Sequence, residues 1–328
     1  MREDDAFRAA TMYYLQDQTM DVIARTLGIS RSTVSRLIKS AREDGMVRIS
    51  LRPPSSTGSQ LGHRLSATFG IKAHVVSVRE SASEVHRLEQ VAMVAAGLIA
   101  EWFGPDMVLG VAWGTTVAAI SRHLKSSPSP GSVVVQLNGA ANTYASGVTY
   151  ASDLIAAIAA AFDSTMYHFP VPAFFDFPET KRMMWRERSV RRVLQMQQRV
   201  DVALFGVGAL SAEVPSHVYS SGYLDDAEIA SLAADRVVGD VCTVFLREDG
   251  SFRDIDINAR ATGPSPLELR SIKRRVCVVV GEAKAHALLG ALRARVVTDL
   301  VTDETTARHV LGLLRGAPGT AEGGRLVP

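Results

Sequence analysis

The sequence contains 328 residues, 47% hydrophobic and 21% charged, with a formal net charge of +2, which is typical of a globular protein of two domains. The longest apolar run, residues 91–100, is too short to cross a bilayer, and no apolar stretch follows the N-terminal residues as in a secretory signal. Cys242 and Cys277 lie in apolar stretches, where a free thiol acts as a small hydrophobe, so the sequence predicts no disulfide and a cytoplasmic protein.

The N-terminal segment is predicted to be a bundle of three short helices. Residues 5–18 have apolar side chains at helical spacing, and residues 20–27 form a second helix that Thr19 caps. Gly28 suits the left-handed turn that ends a helix, and Ser30 caps the third helix. The third helix has a buried apolar stripe at i, i+3, i+4 and i+7 formed by Val34, Leu37, Ile38 and Ala41.

The opposite face of the third helix is basic and hydroxylated. Ser32, Arg36 and Lys39 point away from the apolar stripe, and residues 30–42 contain no acid. Arg or Lys can bind guanine acceptors in a major groove, and short hydroxyls can bind phosphates and base edges. The predicted DNA-binding residues are Thr19, Ser30, Arg31, Ser32, Thr33, Ser35, Arg36 and Lys39. The alternative is a solvated face of a small bundle.

Residues 43–51 follow as a predicted turn and strand, like the wing of a winged helix-turn-helix. The stretch RPPSSTGSQ, residues 52–60, has Pro, Gly and Ser in place of hydrophobic periodicity. It indicates a linker at residues 53–60. The expected domains are therefore a helix-turn-helix domain (1–52), the linker (53–60), a large domain that binds an effector and oligomerises (61–316) and a flexible tail (317–328).

The large domain is predicted to have an α/β fold with an open sheet. Its strands are continuously apolar, as in a parallel sheet that helices cover on both faces. The predicted strands are residues 73–78, 107–112, 132–138, 202–207, 241–246 and 276–280. The predicted helices are residues 84–102, 115–124, 150–162, 188–199, 226–234, 283–293 and 303–315, after a short amphipathic helix at 61–70.

Glycines and polar side chains follow four of these strands. Gly114, Thr115 and Thr116 open a helix after the second strand, and Lys284 opens another after Gly281. Asn138 and Gly139 follow the third strand, and Gly206 and Gly208 follow the fourth. Ligands of open α/β sheets bind at the carboxyl ends of the strands, and helix N–H groups suit an anion. The pattern favours a small phosphorylated or polyhydroxylated ligand, although glycine at such turns also serves packing.

Residues 254–260, DIDINAR, alternate polar and apolar side chains. An extended chain would place Asp254, Asp256, Asn258 and Arg260 on one face. Either a strand with one solvated side or a pocket wall explains the pattern, and Arg260 is the member expected to reach a ligand.

Taken in order, these motifs resemble the SorC-type (sugar-binding DeoR-like) bacterial transcriptional regulators. The resemblance covers roughly residues 6–315 and rests on IARTLGISRSTVSRLI, AREDGMVRI, GVAWGTTV, VVVQLNGA, VDVALFGVGAL, VVGDVC, GEAKAHALLGALRA and LVTDETTA. It implies an N-terminal helix-turn-helix and an effector domain built like sugar-phosphate isomerases and deaminases. It also implies a sugar, polyol or sugar-phosphate effector and a dimer or tetramer.

The resemblance also assigns positions. It places Gly114, Thr115 and Thr116 on the phosphate or hydroxyl loop, and the remaining walls of the effector site at Asn138, Gly139, Gly206, Gly208, Asp240, Arg260 and Lys284. Two positions depart from the family pattern. Met20 stands where a Gln that contacts the DNA backbone is common, and Val280-Gly281 replaces a Gly-Gly pair.

An enzyme is the alternative function, because sugar-phosphate isomerases would share the fold. Such enzymes need a base within reach of a carbon acid, and Glu213 is the only carboxylate in residues 206–222, GVGALSAEVPSHVYSSG, which follow the central strand. No histidine pair has the spacing of a zinc helix, and no G-x-S-x-G elbow occurs. The sequence therefore predicts no catalytic residue, no metal and no cofactor. It predicts a regulator whose effector changes how a homodimer or homotetramer presents its helices to operator DNA.

Overall fold

The computed structural model describes residues 3–47, 57–79, 81–142, 146–209 and 216–314. The chain divides into two compact units, Met1–Pro54 and Ser55–Pro328. Among the helices of the described residues, none combines the length and the apolar character needed to span a bilayer.

The first unit contains three helices, α1 (Glu3–Tyr14), α2 (Met20–Leu27) and α3 (Arg31–Glu43). The Thr19 and Ser30 side chains accept hydrogen bonds from the first turns of α2 and α3, as the sequence predicts. Gly28 adopts the left-handed conformation with φ of 68° and ends α2. The first helix was predicted to extend to residue 18 but ends at Tyr14, and Asp17 has a positive φ.

The predicted apolar stripe of α3 belongs to the core of this unit. The stripe Val34, Leu37, Ile38 and Ala41 is buried, together with Ile23 of α2 and three alanines of α1. A turn follows α3 at residues 44–46. The predicted strand of the wing falls mainly on residues 48–51, which lie outside the described residues, so the wing stays a prediction.

The second unit is built on a seven-stranded sheet in the order β1-β9-β8-β5-β2-β3-β4, in which every pair is parallel. The sheet strands are β1 (Lys72–Val76), β2 (Val108–Val111), β3 (Val133–Gln136), β4 (Thr165–Tyr167), β5 (Val202–Phe205), β8 (Arg274–Val279) and β9 (Asp299–Asp303). Strands β6 (Val237–Val241) and β7 (Val244–Arg247) form a separate antiparallel hairpin.

Helices cover both faces of the sheet. They are α4 (Thr57–Phe69), α5 (Glu84–Trp102), α6 (Thr115–His123), α7 (Ser146–Phe162), α8 (Pro178–Met184), α9 (Arg188–Gln197), α10 (His217–Ser220), α11 (Asp226–Ala234), α12 (Pro266–Ser271), α13 (Ala285–Arg293) and α14 (Glu304–Leu313). Neighbouring strand residues contribute to opposite sides: Val134 packs with α5, α6 and α7, whereas Val135 packs with α4, α9, α13 and α14. Burial on both sides explains why the strands are continuously apolar.

Four sequence predictions about this unit were wrong in detail. The stretch 241–246 is not one strand, because Cys242 and Thr243 form a turn with φ of 51° and 67° between β6 and β7. Residues 254–260 are not extended, since Asp256–Ala259 form a 3-10 helix. The prediction omitted β4 and β9. Helix α4 begins at Thr57, within the predicted linker. The predicted tail, 317–328, lies outside the described residues.

Candidate functional site

A cleft opens at the carboxyl ends of β2, β3, β5 and β8, bounded on one side by the β6–β7 hairpin. The space between its walls that no protein atom occupies is about 490 Å³, part of it open solvent. Its lining includes eight of the ten predicted effector residues: Gly114, Thr115, Thr116, Asn138, Gly206, Gly208, Asp240 and Lys284. Segments far apart in the sequence therefore meet in one place.

The β2 wall of the cleft begins with Trp113. Its indole N–H donates to the Gly139 carbonyl at 2.8 Å, and its ring stacks on Tyr223 at a centroid distance of 5.0 Å. Gly114 then caps α6, whose first residues, Thr115 and Thr116, line the cleft. This wall combines hydroxyls with the positive end of a helix, where backbone N–H groups attract an anion.

Asn138 forms the β3 wall. Its side chain is only 1% exposed, and its Oδ1 atom has no hydrogen-bond partner. The backbone is held by Gln136, whose side-chain amide donates to the Asn138 carbonyl at 2.7 Å. An amide oxygen that is buried beside a cleft without a partner can accept a hydrogen bond from a ligand hydroxyl.

Gly208, which follows β5, and Asp240, which lies in β6, connect these two strands by backbone hydrogen bonds. Each backbone N–H donates to the carbonyl of the other residue, at 3.0 and 3.1 Å. A Cβ atom on Gly208 would lie 2.0 Å from Oδ1 of Asp240, so the close approach requires glycine at this position. Gly206 is less confined, since a Cβ atom there would meet its nearest neighbour at 3.4 Å.

Asp240 is the carboxylate of the cleft. Its Oδ2 accepts a hydrogen bond from the Thr243 N–H at 3.0 Å, whereas its Oδ1 has no hydrogen-bond partner among the described residues. Burial raises the pKa of Asp240 to about 6, against the opposing effects of the Thr243 and Tyr219 groups and of Lys284. The turn at Cys242 and Thr243 aims the Thr243 N–H at this carboxylate.

Lys284 supplies a cation on the β8 side. It is 5% exposed at the end of a 3-10 turn, Glu282–Lys284, and burial lowers its pKa against the attraction of Glu84 and Asp240. Within the described residues, Lys284 makes no ion pair at 4.0 Å or less. Gly281, in the turn that leads to it, has a φ of 115°, and a Cβ atom there would lie 2.7 Å from the Glu84 carboxylate.

The start of α10 lines the cleft, a position that was not predicted from the sequence. Ser216, His217 and Val218 line the cleft, and burial lowers the pKa of His217. The His217 ring lies 4.4 Å from the Tyr150 ring, and its Nδ1 is 3.0 Å from the Ser221 hydroxyl. The motif SHVYSSG is visible in the sequence, but nothing in its spacing indicates that it folds back over the strand ends.

Two predicted effector residues lie outside the cleft. Gly139 is a packing position, since its N–H donates to Thr262 at 3.0 Å and a Cβ atom would lie 2.1 Å from the Pro172 carbonyl. Arg260 pairs with Glu228 and donates to the Phe175 carbonyl at 2.9 Å, and it borders two other depressions. The 3-10 helix explains the difference, because it does not hold the polar side chains of residues 254–260 on one extended face.

Two of the three other polar side chains of residues 254–260 also have structural partners. Asn258 exchanges hydrogen bonds with the Phe245 backbone at 2.8 and 3.0 Å, which secures β7. Asp254 accepts a hydrogen bond from Arg247 at 2.7 Å. Within the described ranges, no three His, Cys, Asp or Glu side chains are grouped as metal ligands.

In the first unit, the outward face of α3 has the predicted composition. Ser32, Ser35, Arg36 and Lys39 are exposed. The hydroxyls near its start are engaged locally: Thr19 and Ser30 cap helices, and Ser30 lies 2.8 Å from the hydroxyls of both Ser32 and Thr33. Arg31 lies 3.7 Å from Asp21, a solvent-exposed ion pair that a phosphate could displace.

Comparisons with known proteins match this architecture. Residues 54–312 match the family described as "Putative sugar-binding domain", and residues 11–44 match sigma-70, region 4. The chain is 32% identical to a deoxyribonucleoside regulator of Bacillus subtilis (strain 168) over 309 residues, which cover 93% of this chain and 96% of that protein.

Two solved structures extend the match to three dimensions. A domain of a possible sugar-binding transcriptional regulator from Arthrobacter aurescens TC1 is 46% identical, covering 79% of this chain and all of that one, with a TM-score of 0.74. The full-length sorbitol operon regulator SorC from Klebsiella pneumoniae is 26% identical, covering 95% of this chain and 99% of its own, with a TM-score of 0.76.

Proposed function

Because this chain belongs to the SorC-type family of sugar-binding transcriptional regulators, we propose that the cleft at the strand ends binds its effector and that α3 contacts operator DNA. The protein is a DNA-binding transcriptional regulator whose operator binding responds to a sugar-type effector. The single observation that supports the position of the effector site is the meeting of eight predicted residues in one cleft.

The chemistry of the cleft favours a small polyhydroxylated molecule with an anionic end. Thr115, Thr116 and the start of α6 offer hydroxyls and backbone N–H groups, and Lys284 offers a buried cation, a combination suited to a phosphate. On the opposite side, the free oxygens of Asn138 and Asp240 can accept hydrogen bonds from sugar hydroxyls. The effector is therefore a sugar phosphate or, if Lys284 binds a hydroxyl, a free sugar or polyol.

The chemistry of α3 favours a major groove. Arg36 and Lys39 are long enough to reach guanine acceptors, and Ser32 and Ser35 lie beside them on the exposed face. Thr19, Ser30, Arg31 and Thr33 lie at the starts of α2 and α3, where side chains commonly contact phosphates. One such helix touches few base pairs, so operator binding requires a homodimer or homotetramer with suitably spaced half-sites.

The proposed mechanism is a population shift within this oligomer in the cytoplasm. An effector that binds one arrangement of the effector units more tightly changes the spacing of the helices that contact DNA. The proteins to which the chain is similar are regulators rather than enzymes, so Asp240 and Lys284 are assigned to binding and not to catalysis.

A ligand screen followed by a DNA-binding assay tests the proposal. Phosphorylated and free sugars and polyols are screened by thermal shift, since a ligand at 100 times its Kd adds about 2.7 kcal/mol of stability. The hits are then added to a mobility-shift assay with the chain's own upstream DNA. A hit that stabilises the protein and changes its affinity for this DNA supports the proposal, whereas indifference to every compound contradicts the effector site.

A further inference from the structure

The segment around α9 is strongly basic. Residues 181–199 contain seven Lys or Arg and a single acid, Glu187, although residues 53–328 as a whole contain 27 residues of each sign. This concentration of charge lies in the second unit and is separate from the basic residues of α3. A function confined to binding a small effector in the cleft does not explain it.

The charge is organised on one face of α9. Val190 and Val193 are buried, and Gln197 donates to the Gln136 and Leu137 carbonyls at 2.8 and 3.1 Å, so this side of α9 packs on the unit. Arg188, Arg191 and Arg192 recur at i, i+3 and i+4 and are exposed on the opposite side. Arg199 is also exposed, just beyond the end of α9. We call these four residues the arginine face.

The arginine face lacks compensating acids. Within the part of the chain that the structure describes, Arg188, Arg191 and Arg199 form no ion pair or side-chain hydrogen bond, and Arg192 lies 5.7 Å from the Tyr167 ring. Like charges at i, i+3 and i+4 destabilise a helix by a few tenths of a kcal/mol per pair. The arrangement therefore has a folding cost that an anionic partner would remove.

The choice of arginine indicates the chemistry of that partner. All four members are Arg and none is Lys, and a guanidinium can bind two phosphate oxygens in a bidentate geometry. A row of phosphates along a groove matches cations repeated along one helix face better than a single small anion does. Double-stranded DNA has one charge per about 1.7 Å of helix axis, and the chain already binds DNA through its first unit.

We propose that the arginine face contacts the phosphate backbone of double-stranded DNA outside the base pairs that α3 contacts. This inference rests on the proposed function, since it requires the regulator to be bound at its operator. The contact is independent of sequence, so it adds affinity and salt dependence without adding base specificity.

The test compares two DNA duplexes. Footprinting of the upstream DNA defines the protected base pairs of the operator. The short duplex ends at the outermost base pair whose substitution weakens binding of the wild type, which marks the limit of the base contacts of α3, and the long duplex adds about two helical turns, roughly 20 base pairs, at each end. Affinities are measured between 50 and 200 mM salt for the full-length wild type and for the triple variant Arg188→Gln, Arg191→Gln, Arg199→Gln.

On the long duplex, the wild type should lose affinity with salt more steeply than the variant. Each phosphate contact contributes about 0.9 to the log–log slope, so the loss of three contacts makes the wild type fall about 40-fold more than the variant over this salt range for each protomer whose arginine face contacts the DNA. On the short duplex, the two proteins should bind alike. The substituted side chains are exposed and outside the core, and an unchanged Tm and effector affinity verify the fold of the variant.

A matched control changes the same amount of charge elsewhere. The triple variant Arg236→Gln, Arg253→Gln, Arg295→Gln removes three exposed arginines of the second unit outside α9, and it should behave like the wild type on both duplexes. Equal effects of the two triple variants, or no effect of the α9 variant on either duplex, would overturn the proposal. Unchanged DNA binding with reduced transcription in vitro would also overturn it, in favour of an acidic protein partner.

The outcome is distinguishable from failure of the proposed function. If the wild type does not bind the short duplex, the assignment of α3 is wrong, regardless of α9. If the wild type binds the short duplex and responds to effector but gains nothing from the flanks, only the arginine face is wrong.

Discussion

The polar atoms of the two candidate sites differ in their exposure and in their hydrogen bonding. In the first unit, the residues proposed to contact DNA lie between positions 19 and 39, most are exposed, and the capping hydroxyls already have partners. In the second unit, the proposed effector residues lie between positions 114 and 284, and Asn138 and Asp240 are buried with one oxygen each lacking a hydrogen bond.

This difference has an energetic consequence. Burial raises the pKa of Asp240 and lowers that of Lys284, so the charged forms of both groups cost folding free energy. Exposed side chains of α3 have no such cost. We therefore expect substitutions in the cleft to change stability and binding in opposite directions, and substitutions on α3 to change binding alone.

The largest effect on binding is expected for Lys284→Met. Methionine fills nearly the same volume without the charge, so the affinity for an anionic effector should fall at least about 30-fold, as for loss of one partner of a buried charged pair. Burial lowers the pKa of Lys284, which means that the ammonium form costs folding free energy at neutral pH. The Tm of the ligand-free variant should therefore be unchanged or higher.

Isothermal titration with the effector and a thermal melt without it check this prediction. Operator binding in the absence of effector should be unchanged, because α3 lies in the other unit. The double variant Thr115→Val, Lys284→Ala should likewise bind DNA and no longer respond to ligand. A variant that keeps full effector affinity would show that Lys284 is not part of the site.

Asp240→Asn should stabilise the protein in a pH-dependent way. Burial raises the pKa of Asp240 from 3.8 to about 6, so the folded state binds this proton more tightly than the unfolded state does. The wild type therefore has no penalty below pH 3.8, loses stability as the pH rises from about 4 to 6, and has the full penalty above 6. The variant lacks the ionisation, so its advantage should reach on the order of 3 kcal/mol at pH 7.

Denaturant unfolding of both proteins at several pH values between 4 and 8 measures this difference directly. The other titrating groups are common to both chains and cancel in the comparison. An advantage that is constant with pH would mean that Asp240 does not titrate in this window. Effector binding should weaken in the variant if a sugar hydroxyl donates to Oδ1.

The contrast between the two sites also explains what could be predicted from the sequence. The caps at Thr19 and Ser30, the turn at Gly28 and the apolar stripe of α3 act within a few residues, so local patterns identify them. The cleft at the strand ends could be predicted for a related reason, because parallel strands end at the same edge of a sheet.

The failures occurred where tertiary contacts override local pattern. The turn between β6 and β7 uses Cys242 and Thr243 in the left-handed region, without the Gly or Asn that normally marks a hairpin, so VVGDVCTVFL has no visible turn signal. Strand β9 begins and ends with buried aspartates, Asp299 and Asp303, which hides its strand character. The position of His217 over the cleft depends on how the chain returns after β5.

Arg36→Ala tests the proposed DNA contact of α3 in the first unit. Loss of a bidentate base contact costs about 1–3 kcal/mol, so operator affinity should fall by roughly 10-fold or more, and discrimination at one base position should relax. Because Arg36 is exposed, the Tm and the effector affinity should not change. Mobility shift with operator and mutated operators, beside a thermal melt, gives the result. Equal loss of DNA and effector binding would contradict the separation of the two sites.

The smallest expected effect distinguishes two serines of the same helix. Ser30 accepts a hydrogen bond from the Thr33 N–H at 3.2 Å as the N-cap of α3, so Ser30→Ala should lower the free energy of unfolding of the first unit by about 1 kcal/mol. Ser35 lies on the exposed face within the helix, where alanine has the higher helix propensity, so Ser35→Ala should stabilise this unit by a few tenths of a kcal/mol.

Hydrogen exchange of the α3 amides in the full-length protein measures both changes, since it reports the opening of that unit. DNA affinity gives the opposite ranking if Ser35 contacts the operator: Ser35→Ala weakens binding although the helix is more stable, whereas Ser30→Ala weakens it only as far as α3 frays. If both serines change stability and affinity in parallel, the hydroxyls of α3 act only through the helix, and operator contacts come from Arg36 and Lys39.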